Sequence, residues 1–324
     1  MSDAKNAILQ LRDHMTQHIL GQERLVDRLL IALLADGHLL VEGAPGLAKT
    51  TAIKALAEGV EADFHRLQFT PDLLPGDVIG SDIYVQETGQ FEFRRGPIFH
   101  NLVLADEINR APAKVQSALL EAMGERQITV GNSSYQLPEL FLVMATQNPI
   151  EQEGTYPLPE AQLDRFLLYV TIDYPDAETE AKILKLARGQ AAQQASKQPA
   201  SKPQQIKESD ILDARQQVLE LHCAEEIDQY MIELVMATRD PKAVDADLTR
   251  WINSAASPRA TIALDRCARA HAWLAGRDYV SPADVQAIAP DVLRHRILLS
   301  FEAEADGISG TDVVRRLIER VPAP

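Results

Sequence analysis

Cysteine is almost absent from this chain of 324 residues: only Cys223 and Cys267 occur, without metal-ligand spacing. That excludes a disulfide-stapled scaffold and a cysteine-bound zinc, and leaves two ordinary reduced thiols in predicted helices. The eight histidines are scattered, none within a Cys/His or His/acid ligand motif, so no bound transition metal is expected. Long apolar runs are missing too. The longest, residues 29–41, is broken by Asp36 and His38 and falls short of a bilayer span. The opening residues, MSDAKNAILQ, lack a basic stretch followed by an apolar one, so no secretory leader is read and a cytoplasmic setting is expected. Positive charge is scarce: 32 basic against 47 acidic side chains, a balance of −15. So acidic a surface makes the phosphate backbone of nucleic acid a poor default partner. No internal repeat or heptad run is present.

What is there is the composition of a globular protein, 46% apolar and 24% charged, with the length of about two domains. The richest stretch is HLLVEGAPGLAKTTAIKAL (residues 38–56): an apolar strand, a glycine-bearing turn, then Lys49-Thr50 opening a helix. Backbone N–H groups of the loop Gly43, Ala44, Pro45, Gly46, Leu47, Ala48 would curl around phosphates at the positive end of that helix. Lys49 would reach the β- and γ-phosphates of ATP, and the Thr50 hydroxyl would take a Mg²⁺ position. The strict pattern has glycine where Ala48 stands, so for the loop alone a strand-turn-helix with a solvated lysine remains the alternative. A second apolar strand, Leu102-Val103-Leu104-Ala105, ends in Asp106-Glu107. Asp106 suits the carboxylate that holds Mg²⁺ and Glu107 the base that orients water. Either strand alone could simply end at solvent; together they favour nucleotide hydrolysis.

Residues 4–19 and 22–35 are expected as helices, with Leu25, Leu29 and Leu33 forming one stripe. Strands at 38–42, 64–69, 101–106, 140–146 and 166–172 alternate with helices at 49–58 and 112–123, which predicts a parallel sheet covered by helices. Residues 83–94 and 127–137 read as hairpins turning at Thr88-Gly89 and Gly131-Asn132, either decorated loops or elements that touch a partner. Residues 189–206, rich in Gln, Ala, Ser, Lys and Pro, read as a flexible linker between a core (1–188) and an all-helical region (207–324). Ser257-Pro258 and Ser281-Pro282 each place a hydroxyl cap before a helix, the second resembling a capping box with Asp284. Asn148, at the tip of strand 140–146, would help place water if that strand neighbours the nucleotide loop; an Asn-Pro turn is the plain alternative. For Arg165 a surface salt bridge, and for Arg259 a solvated or capping role, are the plain alternatives.

Taken in order, GAPGLAKT, LVLADEINRAP, the Asn148 strand tip, AQLDRF and SPRA resemble the AAA+ ATPases. The wording of ILGQERLVDRLLIALLADGHLLVEGAPGLAKT, FTPDLLPGDVIG, FRRGPIF, ALLEAMGERQITV and VLRHRI is similar to the MoxR group of that superfamily, where Ala48 is usual. The resemblance covers nearly the whole chain apart from the linker. It implies an α/β P-loop NTPase (AAA+) core with a parallel sheet, followed by an all-α lid domain. It further implies that Asn148 is the sensor reading the γ-phosphate and Arg165 the arginine finger offered to an adjacent subunit. Arg259 would be the lid-borne sensor, and Ile19 to Gln22 would lie near the adenine. The hairpins resemble the clade's inserts. Ala255 departs from a frequent glycine, and the linker is longer and more polar than usual. Proteins of this kind are ring-forming, commonly hexameric, chaperone-like ATPases that act with von Willebrand factor A domain partners on maturing or metal-receiving clients. Two other functions compete with this one. A nucleic-acid motor or loader is opposed by the acidic balance and by hairpins whose nearby basic residues are only Arg94, Arg95 and Arg126. A non-hydrolysing nucleotide switch is opposed by the intact Asp106-Glu107 pair.

Overall fold

Leu39, Leu40, Val41, Leu102, Leu104, Leu142, Val143 and Met144 expose none of their surface. Strands apolar in consecutive positions must be covered on both faces, and each such Leu or Val contributes about 1.5–3 kcal/mol on burial. In the computed structural model, residues 3–131, 133–149, 154–195 and 204–324 are described. Two helices lead, α1 (Asp3–His18) and α2 (Glu23–Leu34), with the leucine stripe fully buried. Then follow β1 (Leu39–Glu42), α3 (Lys49–Glu58), β2 (Phe64–Gln68), α4 (Pro75–Ile79), β3 (Gly80–Val85), β4 (Gln90–Arg95), β5 (Leu102–Asp106) and α5 (Ala113–Glu125). Next come β6 (Gln127–Val130), β7 (Ser133–Gln136), β8 (Leu142–Gln147), α6 (Glu160–Leu163), β9 (Leu168–Thr171) and α7 (Ala177–Ala195). The sheet runs β2-β5-β8-β1-β9, and β5 pairs parallel with both β2 and β8. This is the expected α/β architecture.

Both hairpins form, the first longer than expected, with Gly80 opposite Arg95 and Val85 opposite Gln90. The second pairs Gln127 with Gln136; Asn132 of its turn lies outside the described residues. Phe93 stacks on Tyr135 at 4.1 Å and so joins the two hairpins.

The C-terminal region comprises α8 (Glu208–Leu219), α9 (Glu225–Arg239), α10 (Ala246–Trp251), β10 (Ile252–Ser254), α11 (Pro258–Leu274), α12 (Pro282–Leu293), β11 (Leu298–Leu299), α13 (Phe301–Ala305) and α14 (Gly310–Arg320). It is helical as expected, with one short two-stranded ladder added. Ile252 pairs antiparallel with Leu299, a two-stranded ladder too short to leave a periodic signature. The linker reading needs correction at both ends. Residues 189–195 continue α7, because Ala and Gln are good helix formers even where large apolar groups are missing. Ile206 is buried, its N–H donating to Gly59 O at 2.9 Å and its carbonyl accepting from Glu61 N at 2.8 Å. Residues 196–203 of that stretch lie outside the described residues.

The chain packs as two compact units: Met1–Leu30, Leu40–Tyr156 and Val170–Ala214 form one, and Ile31–Leu39, Pro157–Tyr169 and Arg215–Pro324 the other. The division differs from the expected cut at 189–206. Arg215 explains part of it, since its Nε donates to Leu33 O at 2.9 Å and it pairs with Asp36. No helix among the described residues is long and apolar enough to cross a membrane.

The capping box at α12 forms as expected, Ser281 N donating to Asp284 Oδ2 at 2.9 Å. Burial opposes ionisation of Asp284, but hydrogen bonds from His271 and Ser281 and the Arg277 charge outweigh it and hold the carboxyl down at about 2. Because the folded value lies below the ordinary 3.8, this stabilisation is complete above that pH and is lost as pH falls from 3.8 toward 2. Asp284→Asn is expected to cost about 2 kcal/mol at pH 7 and to flatten the acid limb of stability. Denaturant melts across pH check it; an unchanged acid limb would contradict the assignment.

Candidate functional site

The loop after β1 is built around two conformational demands. Ala48, the residue before α3, has φ 59° and ψ 14°, a left-handed backbone. That is why the strict pattern has glycine there, and alanine accepts a strain of about 1–2 kcal/mol. Gly43 answers a different need: a Cβ there would lie 2.4 Å from Ile172 Cγ1, so only glycine lets the loop start against the end of β9. Lys49 Nζ donates to the carbonyls of Gly43 and Ala44, the latter at 3.3 Å, so the ammonium is folded over the loop.

A cavity of about 430 Å³ opens over this loop. Gly46, Leu47, Ala48, Lys49 and Thr50 line one side, and Leu20, Pro175, Ile183 and Leu186 supply an apolar side. A polar floor of helix-terminal N–H groups beside an apolar wall suits a nucleotide, phosphates on the floor and base on the wall. His18 and Gln22 also line it. The Gln22 amide donates to Asp173 O at 3.0 Å, tying the segment after α1 to the one after β9.

Asp106 and Glu107 end β5, on the same sheet, with β8 between that strand and β1. Asp106 is buried. Its Oδ1 accepts from Thr146 Oγ1 at 2.6 Å and its Oδ2 from Arg66 Nη2 at 2.7 Å and Nε at 3.1 Å. Glu107 also has a left-handed backbone, φ 56°. Its N–H donates to Thr146 Oγ1 at 2.9 Å, and its Oε2 accepts from Gln68 Nε2 at 2.7 Å and Arg110 Nη1 at 3.2 Å. Non-glycine residues rarely hold this conformation, and where they do the strain often marks a functional position. The hard oxygens of Asp106 and Thr50 are the donor set Mg²⁺ prefers, so these residues fit the ion; Arg66 would share or yield Oδ2. Arg66, Gln68 and Thr146 escaped the sequence reading. The available signal was alternation in β2, which puts Arg66 and Gln68 on one face, with Gln68 in register with Asp106.

Asn148 is buried just beyond β8, and Gly43 N donates to Gln147 O at 3.3 Å. The neighbourhood required for Asn148 to face the loop is therefore present. Arg165 and Arg259 belong to the second unit. Arg165 is half-buried just after α6. Arg259 sits in the first turn of α11, its N–H capped by Ser257 Oγ at 3.2 Å and its Nη1 3.7 Å from Asp164 Oδ2. The structure also gathers Cys223, Asp228 and Asp265 within 4.8 Å, which the spacing had not suggested. Burial and then Asp228 push the Cys223 thiol up to about 12, so it stays protonated.

Residues 38–168 match the ATPase family associated with various cellular activities (AAA), and residues 250–317 match the AAA lid domain. Chaperone MoxR1 of Mycobacterium tuberculosis is 45% identical over 307 residues, 94% of this chain and 79% of its own. The chain belongs to the MoxR family of AAA+ ATPases. Protein MoxR of Methylorubrum extorquens is 31% identical over 338 residues, covering 100% of this chain and 97% of its own. A solved structure from Cytophaga hutchinsonii superposes with a TM-score of 0.89 at 44% identity, covering 99% of this chain and 96% of that one. The MoxR-type core and lid expected from the motifs are both present, and the protein is a nucleotide-binding ATPase.

Proposed function

We propose that this MoxR-type ATPase hydrolyses ATP with Mg²⁺ as a ring of six copies, and uses the cycle to remodel or mature client proteins in the cytoplasm. One observation carries the reading: the loop of residues 43–48 after β1 and the pair Asp106-Glu107 at the end of β5 follow strands of one sheet that are separated by β8. Within it Lys49 and the loop amides bind the phosphates, Thr50 and Asp106 hold the metal, and Glu107 takes a proton from water positioned with Asn148. Bound Mg²⁺ would supply charge neutralisation on the phosphate oxygens. Arg165 would complete a neighbour's site and Arg259 would register its nucleotide. The chaperone name of the mycobacterial relative supports a client-directed role. A partner with a von Willebrand factor A domain, and clients that receive metal cofactors, belong to the same proposal through the family likeness.

The test is Arg165→Ala. Nucleotide affinity should stay near that of the parent while turnover falls about a thousandfold and stops rising with protein concentration. Full, concentration-dependent activity in that variant would remove the shared-site reading.

A further inference from the structure

The run Arg294-His295-Arg296 follows α12, and its last two side chains are spent on one short stretch of chain. Arg296 is 8% exposed. Its Nε donates to Asp164 Oδ1 at 2.9 Å, Nη2 to Phe166 O at 2.6 Å and Asp164 O at 3.4 Å, and Nη1 to Leu167 O at 3.3 Å and to Val292 O. His295 adds a second donor, its Nε2 lying 3.1 Å from Phe166 O while its ring stacks on Tyr169 at 5.6 Å. Burial, then the Arg296 charge, drive the His295 pKa well below 6.5, so the ring is neutral with its proton on Nε2. The carbonyls immediately before and after Arg165 are thus both gripped.

Asp164 has a second set of partners. Its Oδ2 accepts from Ser257 Oγ at 2.9 Å and lies 3.7 Å from Arg259 Nη1. One carboxylate therefore touches the buried Arg296, the cap of α11 and the guanidinium of Arg259, while its own backbone continues directly into Arg165. A buried ion pair is seldom worth more than well-packed apolar side chains of equal volume. Packing alone leaves this arrangement unexplained; a need to aim the adjoining residue explains it.

We propose that Asp164, held by Arg296, is a positioning residue that fixes the direction of Arg165 and ties it to Arg259. The inference rests on the proposed phosphate-facing roles of those two arginines. A phosphate that draws Arg259 away from Asp164 changes the load on the carboxylate preceding Arg165, so the two arginines report to each other through a single side chain.

The experiment is a double-mutant cycle in the full-length protein. Asp164→Asn should lower kcat about a hundredfold, as small misplacements of a positioned group do, with the KM for ATP unchanged. Combined with Arg165→Ala it should be no slower than Arg165→Ala alone, because both remove the same contribution. If Asp164→Asn fails to fold, Arg296→Lys, which keeps the charge and loses the fork, must show the same kcat-selective, non-additive loss, and Asp164→Glu should recover part of the parent rate. Unchanged kcat, or losses that multiply in the combined variant, would overturn the proposal. Full activity of Arg165→Ala by itself would instead sink the role of Arg165, a result distinguishable because it is read from that single variant.

Discussion

Lys49→Ala is expected to weaken ATP binding about a hundredfold, the worth of one or two charge-assisted hydrogen bonds. Among the described residues the lysine is the only Lys or Arg lining the loop side of the cavity, and its ammonium is already folded over the Gly43 and Ala44 carbonyls. Helix-terminal amides alone offer partial charges, which carry phosphate binding less far than a full ammonium does. Titration with a fluorescent adenine nucleotide measures the effect directly. An affinity within about twofold of the parent, in a variant that melts like the parent, would mean that the cavity over this loop is not where phosphates bind.

Glu107→Gln should leave binding intact and slow hydrolysis by about a hundredfold to ten-thousandfold, the range for removing a general base. The amide keeps an oxygen to accept from Gln68 and Arg110, so the strained backbone at this position should persist. What it loses is the ability to take a proton. Single-turnover measurements at saturating ATP separate this from any change in affinity. Turnover close to the parent rate would assign the base elsewhere and leave Glu107 as a structural end to β5.

Legibility tracked the range of the interactions. The phosphate loop, the acidic strand end and the two serine-proline caps are each contained within a few consecutive residues, so their pattern survives in sequence. Ala48 was read as one mismatch, and the left-handed backbone supplies its physical meaning. Whether the Asn148 strand neighbours the loop depends on strand order, and that β8 lies next to β1 is visible only in the folded sheet. For Arg66 and Gln68 the alternation in β2 gave a face but no target, and Thr146 gave no signal, because all three reach the carboxylates from strands far away in sequence. The helix through 189–195 was hidden by composition, since a stretch short of large apolar groups reads as linker although its residues favour helix. The grouping of residues 157–169 with the C-terminal helices likewise depends on Arg296, more than a hundred positions away.

Thr146 has one hydroxyl and two dependants. Its proton goes to the side chain of Asp106 and its lone pair receives the amide of Glu107. The two acids therefore share a single joint, where separate supports would have let each adjust alone. Under the proposed roles, a cation drawing on Asp106 would also lean on the peptide carrying Glu107, so the grip on the metal and the aim of the base would be geared together through one hydroxyl.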